Sequence, residues 1–198
     1  MEKLLLTGFQ AFGNWRVNPT EEVASKLASC DIGSWSVSSV ILPVTFSHCW
    51  PKLLAELQSC DYSAVVMLGL AGSRNLITPE ATARNWVESV GRPDNLGEEM
   101  PAGPILMPGE DLPSTFGAEK MVAAMKQRGI GAEISHDAGS FVCNYLSYQL
   151  LNYLAGEGRG GFIHLPPTRE MRPDSIWKQS KLIEAVELCI GQIELSGL

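Results

Sequence analysis

Apolar positions along the chain follow two rhythms that alternate from end to end. Short runs at residues 3–7, 64–68 and 161–165, mostly apolar, and the segments 35–42, rich in Val, Ile and Ser, and 132–136 read as strands. The run Ala64-Val65-Val66-Met67-Leu68 has no polar member before Gly69, the pattern of a parallel strand covered on both faces. Between these runs apolar residues recur at helical spacing. Asn18-Pro19-Thr20-Glu21 opens a helix that reaches Ala28: Asn18 can cap it, Pro19 suits its first turn, and Glu21 completes a capping-box-like spacing. Further helices are predicted over 47–57, 114–128, 142–154 and 175–193. In 114–128 the stripe is Ala118, Met121, Val122 and Met125, closed by Gly129. Residues 76–90 read as one more strand, bent at Pro79. Residues 91–113 are broken by Gly91, Pro93, Gly97, Pro101, Gly103 and Pro104 and read as a loop. A connection of that length inside a domain is usually functional or partly paired.

This alternation predicts a single α/β domain over residues 1–198, with a mostly parallel central sheet and helices on both faces. Open α/β sheets bind ligands beyond the carboxyl ends of their strands. Residues 7–13, 69–80, 137–143 and 164–168 therefore come first in a search for a site.

Composition narrows the partners. The chain is 45% hydrophobic and 19% charged, enough for a sizeable core and unlike a disordered chain. Its net charge is −7 and no Lys/Arg-rich run is present, so nothing supplies a patch for phosphates. Neither nucleic acid nor an anionic membrane is an expected partner; a small neutral or zwitterionic substrate is compatible. A spanning helix needs about 18 consecutive apolar residues, which this chain lacks. The apolar run after Met1 is far too short for a signal peptide, so a cytoplasmic location is expected. The five cysteines, Cys30, Cys49, Cys60, Cys143 and Cys189, form no CxxC pair. Neither a zinc ribbon nor a thioredoxin-type site is supported, and packing is the default role.

Cys143 is the exception. A Gly-containing turn, Asp137-Ala138-Gly139-Ser140, leads from a predicted strand into a helix whose first turn holds the thiol. Backbone amides and the helix dipole there favour a thiolate, and the same amides could stabilise an oxyanion. The competing reading is a structural cysteine packing the helix onto the sheet. His164 ends an apolar strand and is a candidate base, or simply a hydrogen-bonded strand-end histidine. His48 stands at a helix start, and His136 is too near Cys143 in sequence to pair easily with it. Glu80, after Ile77-Thr78-Pro79, could orient an imidazole, although most Glu residues are solvated surface groups. The weight lies in the assembly: thiol, imidazole and carboxylate each fall at a predicted strand end. The Gly8–Gly13 loop lacks G-x-G-x-x-G spacing and does not read as a dinucleotide site. Its Phe9 and Phe12, three residues apart, suit gripping a flat uncharged ring or packing the loop into the core.

Together these motifs resemble the pyroglutamyl peptidase I (pyrrolidone-carboxylate peptidase) family of cysteine peptidases. The blocks are Thr7-Gly8-Phe9-x-x-Phe12-Gly13 with Asn18-Pro19; Gly69-x-Ala71-Gly72-x-Arg74-x-x-Ile77-Thr78-Pro79-Glu80; Ala138-Gly139-x-Phe141-Val142-Cys143-Asn144; and Gly161-Phe162-Ile163-His164-x-Pro166. Arg92-Pro93-Asp94-Asn95-x-Gly97 is similar to a loop of that family. The resemblance implies a mixed sheet flanked by helices, of phosphorylase- or hydrolase-like architecture. It implies an omega-peptidase that removes N-terminal pyroglutamate through a Cys143–His164–Glu80 triad and a thioester acyl-enzyme. It implies no metal or organic cofactor and a homodimer or homotetramer. Phe9 and Phe12 match residues that hold the pyroglutamyl ring, Asn18 and Thr45 match positions near that pocket, and Arg92 matches an arginine near the oxyanion site. Leu70 departs from the pattern, since Gln is common there in bacterial members and Leu cannot hydrogen-bond through its side chain. Residues 169–173 match no block. Two other readings stand beside this one: a non-catalytic lactam- or peptide-binding homologue of the same fold, and, by fold analogy alone, a nucleoside phosphorylase-like enzyme.

Overall fold

The computed structural model describes residues 1–194. Its elements in chain order are β1 (Glu2–Phe9), α1 (Pro19–Leu27), β2 (Asp31–Ile32), β3 (Trp35–Leu42), α2 (Phe46–Ser59), β4 (Ala64–Leu70), β5 (Thr78–Glu80), β6 (Thr82–Ala83), β7 (Leu112–Pro113), α3 (Ala118–Gln127), α4 (Val142–Leu154), β8 (Arg159–Leu165) and α5 (Gln179–Ile190). Six strands form a mixed sheet in the order β2-β3-β1-β4-β8-β5. The four inner strands are parallel to one another, and both edge strands run antiparallel to their neighbours. Side chains alternate across the sheet, so β1 sends Leu4 and Leu6 to one face and Leu5 and Phe9 to the other. The first face is covered by α1, α3 and α5, the second by α2 and α4. Every residue of β4 is buried, as its unbroken apolar run requires. No helix among the described residues is long and apolar enough to cross a membrane.

Local signals explain most boundaries. Asn18 Oδ1 accepts from the Thr20 backbone N–H and hydroxyl, and its amide donates to the Gln10 carbonyl at 3.0 Å. The cap therefore starts α1 and pins the end of the loop that follows β1. Helix α3 begins only at Ala118, because Gly117 at φ +83° breaks the path and Thr115 is tied to Gly160, its N–H donating to the Gly160 carbonyl and its hydroxyl accepting from the Gly160 N–H.

Three further expected elements differ. The strand expected over 76–90 is reduced to β5 and β6, which belong to different sheets. Residues 132–136 are not a strand but meet 77–80 only in isolated bridges, Ile77 with Ala132 and Glu80 with Ser135. Ile77 N–H donates to the Gly131 carbonyl, Glu133 N–H to that of Ile77, Ser135 N–H to that of Pro79, and Ala81 N–H to that of Ser135. The missing rung is Pro79, which has no N–H to donate, and the ladder splits there. The last helix starts at Gln179 rather than Ser175. Ser175 Oγ accepts from the Trp177 N–H and donates to the Pro167 carbonyl, which holds a turn in competition with helix. The long loop is partly paired: β7 joins β6, and Val87 bridges Gly103.

Candidate active site

The ends of β4 and β8, the antiparallel strand β5 and the start of α4 converge at the carboxyl edge of the sheet. Cys143 is the second residue of α4, after Phe141 at the cap position. The turn before it depends on Gly139, whose φ of +84° is costly for a residue with a Cβ. Asp137 Oδ1 accepts from the Gly139 N–H at 2.9 Å and closes that turn. Asn144 is fully buried and ties the helix start to the loop above it: its amide donates to the carbonyls of Arg84 and Trp86, and its oxygen accepts from Arg84 N–H. His164, near the end of β8, pairs in register with Gly69 of β4 and Thr78 of β5. Glu80 ends antiparallel β5 opposite Phe162, two residues back along β8 from His164, rather than at a strand end on that edge.

His164 Nδ1 and Glu80 Oε1 are 2.6 Å apart, with the Glu80 side chain 1% exposed and that of His164 5% exposed. Arg74, in the loop between β4 and β5, reaches the same carboxylate oxygen at 2.6 Å. Its other terminal nitrogen donates to the Asp137 carbonyl at 2.7 Å, and it also bonds the Thr78 hydroxyl. Burial works against the Glu80 charge, but the hydrogen bond and charge of His164, aided by Arg74, hold the carboxyl below its usual range. Burial lowers the His164 value, and the Glu80 hydrogen bond and charge restore only part of it. At neutral pH the pair is a carboxylate and a neutral imidazole. A carboxylate only accepts, so the ring carries its proton on Nδ1 and keeps Nε2 as a free base.

The thiol departs from expectation. An anionic sulfur was expected at this helix start. Instead burial, and then the Glu80 charge, push the Cys143 thiol up to about 12. Arg92, Arg74 and the local amide pull it down by less. Desolvation outweighs the dipole here, because the sulfur packs close to Gly69 and among the partly buried aromatic residues of the second sheet face. Cys49 and Cys189 are buried with their thiols likewise pushed up to about 12 by burial, and Cys30 and Cys60 are half-buried free thiols.

Cys143 and His164 open onto one cavity of about 320 Å³. Phe12, Leu70, Ala138 and Phe141 line its apolar side, and Arg74 and Arg92 its charged side. The Arg92 guanidinium lies 4.6 Å from the centre of the Phe141 ring. Its loop is fixed by Asp94, whose carboxylate accepts from the backbone N–H groups of Phe46, Leu96 and Glu98. Of the residues singled out from sequence, the structure gathers Phe12, Leu70, Arg92, Cys143, His164 and, behind the imidazole, Glu80. Phe9, Asn18 and Thr45 do not line this cavity. Phe9 is a core residue packed on Phe162 at 6.4 Å, Asn18 spends its side chain on the α1 cap, and Thr45 borders a separate hollow beside α2. His48 borders that second hollow and His136 is exposed, so neither competes with His164. Arg74 and Asn144 stood inside the quoted motifs without a role. The sign that was available for Arg74 is a cation six residues before Glu80, just after the Gly-containing turn that follows β4. Among the described residues no group of three or more His, Cys, Asp or Glu could hold a metal ion.

Comparison with known proteins agrees along the whole domain. A family model described as pyroglutamyl peptidase matches residues 2–190. The pyrrolidone-carboxylate peptidase of Halalkalibacterium halodurans is 39% identical over 173 residues, covering 85% of each chain. That of Pyrococcus furiosus is 36% identical over 181 residues, covering 89% of this chain and 86% of the relative. The crystal structure of pyroglutamyl peptidase I from Bacillus amyloliquefaciens superposes with a TM-score of 0.93 at 31% identity, over 98% of this chain and 95% of that one. Sheet, cleft and relatives define the class as a cysteine hydrolase on a single α/β domain. Within that class the chain belongs to the pyroglutamyl peptidase family.

Proposed function

We propose that this protein removes an N-terminal pyroglutamyl residue from peptides by way of a Cys143 thioester. The observation that carries the reading is the buried 2.6 Å Glu80–His164 pair opening, with a helix-start thiol, onto one cavity of a pyroglutamyl peptidase fold. Pyroglutamate is a five-membered lactam without an amine charge, and Phe12, Leu70 and Phe141 offer it an apolar enclosure. Phe9 contributes from behind by packing Phe162, not by touching the ring.

Because the thiol rests neutral, attack and deprotonation proceed together. His164 Nε2 takes the thiol proton as Sγ bonds to the pyroglutamyl carbonyl carbon. The imidazolium is held by the Glu80 carboxylate at Nδ1. The oxyanion turns to the first-turn amides of α4, the Cys143 N–H among them, with Arg92 close by. His164 then gives its proton to the leaving amine, and the carbon–nitrogen bond breaks to leave the thioester. Water, deprotonated by the same Nε2, hydrolyses the thioester, frees pyroglutamate and returns the thiol.

The test is release of a fluorogenic amine from a pyroglutamyl amide. The protein should turn it over, Cys143→Ala should abolish turnover, and iodoacetamide should inactivate the enzyme more slowly with 2-pyrrolidone present. Turnover retained in Cys143→Ala would overturn the assignment. Binding of 2-pyrrolidone with no turnover in the unmodified protein would favour the non-catalytic lactam-binding reading instead.

A further inference from the structure

We propose that Arg74 is the positioning residue of this site, one guanidinium that clamps the carboxylate behind the base to the turn that launches the nucleophile. The inference rests on the reading of Cys143, His164 and Glu80 given above. Its geometry is a fork. One nitrogen of Arg74 meets Glu80 Oε1 at 2.6 Å and bonds the Thr78 hydroxyl at the start of β5. The other donates to the Asp137 carbonyl at 2.7 Å. Asp137 in turn closes the Gly139 turn and pairs with Arg84 at 2.9 Å. The path from base to nucleophile is therefore continuous: His164, Glu80, Arg74, Asp137, the 137–140 turn, Cys143. A planar fork with fixed donors can bridge a carboxylate and a carbonyl at once, which the single nitrogen of Lys cannot do from one point.

The arrangement makes the role separable from scaffolding. Glu80 Oε1 accepts from both Arg74 and His164. The charged and titratable groups around the imidazole are Glu80 from β5, Arg74 from the β4–β5 loop, Cys143 from α4, and Arg92 and Asp137 on the cavity rim. With Arg74 present, its positive charge partly cancels that of Glu80 and keeps the imidazole neutral and able to accept the thiol proton. Without it, Glu80 acts alone on His164, which then holds a proton more tightly. The acid limb of the kcat/KM profile must move to higher pH.

The experiment compares the unmodified protein with Arg74→Met and Arg74→Lys on a pyroglutamyl fluorogenic amide across pH 5 to 9. Arg74→Met should lower kcat by about 10–100-fold, the scale of a misplaced catalytic group, with KM changed by less than about threefold. Its acid limb should move up by about one pH unit, as loss of a neighbouring like charge does for an imidazolium. Arg74→Lys keeps the charge but not the fork. It should restore the acid limb and only part of kcat. Millimolar guanidinium should raise kcat of Arg74→Met and leave the unmodified protein unchanged. Three outcomes overturn the proposal: variants matching the unmodified protein in kcat and pH profile; a loss confined to KM, which would make Arg74 a substrate contact; or loss of the native circular dichroism spectrum in both variants, which would make it structural. Absence of turnover in the unmodified protein would instead refute the proposed function.

Discussion

Gly69 is where the sheet and the chemistry press hardest on each other. It pairs in register with His164, and a Cβ built on it would lie 2.5 Å from two atoms of the Phe162 ring and 3.1 Å from Cys143 Sγ. Phe162 cannot yield into solvent. It is fully buried, its ring centre 4.8 Å from that of His164 and 6.4 Å from that of Phe9, tilted against both. Gly69→Ala therefore adds one methyl group to a packed wall. Overpacking of this kind costs about 1–3 kcal/mol. For a chain of this length each kcal/mol lowers the melting temperature by about 2–4 °C, so a drop of about 2–12 °C is expected. Relief must come through the Phe162 ring, which carries the imidazole with it. A displacement approaching an ångström at a reacting group costs about 100-fold, so kcat should fall by about 10–100-fold at temperatures well below the melt. Gly103→Ala is the control, because nothing lies within 4 Å of its added Cβ and a change within about 0.5 kcal/mol is expected. The assay is a thermal melt by circular dichroism with kcat on the pyroglutamyl amide at 25 °C. If Gly69→Ala melts and turns over like Gly103→Ala, the packing argument is wrong.

Acid should destabilise the fold in two stages. His164 and Glu80 both sit below their ordinary values of 6.5 and 4.5 in the folded protein, so the unfolded chain binds more protons on acidification. Their stabilisation is complete above pH 6.5 and is lost as pH falls, first through His164 and then through Glu80. Urea midpoints measured from pH 8 to 4 should decline, and a flat series would contradict the buried neutral imidazole. Asn144→Ala should cost about 2–4 kcal/mol, because it strands the Arg84 N–H and the Arg84 and Trp86 carbonyls together. An unchanged urea midpoint in that variant would show that water replaces the strap.

The sequence made the catalytic layer legible because strand ends and helix starts are local facts. The Pro-free apolar run of β4, the Asn18 cap and the Gly139 turn each announce themselves within a few residues, and the cavity walls come from the strand-end segments they define. What stayed hidden depends on distant partners. Residues 132–136 have strand composition, yet their ladder fails because Pro79, more than fifty residues earlier, lacks one N–H. Ser175 looks like a helix start until its hydroxyl bonds to the Pro167 carbonyl. The spacing of Phe9 and Phe12 places both in one loop, but strand alternation sends Phe9 into the core beneath the site. Arg74 gains its role only when β5 and the 137–140 turn converge on it.

A thiol that burial keeps protonated, where a resting thiolate was expected, bears on how the site would work. A helix-start amide can stabilise one anion at a time. Were the sulfur already anionic, the amides of α4 and the Arg92 charge would be engaged with it before substrate arrived, and attack would move charge away from them. With the thiol held near 12 by burial, those donors face no anion at rest. Charge appears only as Sγ bonds to carbon and the proton passes to His164, and it appears on the carbonyl oxygen. Interactions that strengthen only at that point lower the barrier, whereas interactions already made in the resting state do not. The neutral imidazole is the necessary counterpart, since a protonated ring could not take the thiol proton. Burial, which lowers the base and raises the thiol together, thus places both groups in the protonation states that the proposed attack requires.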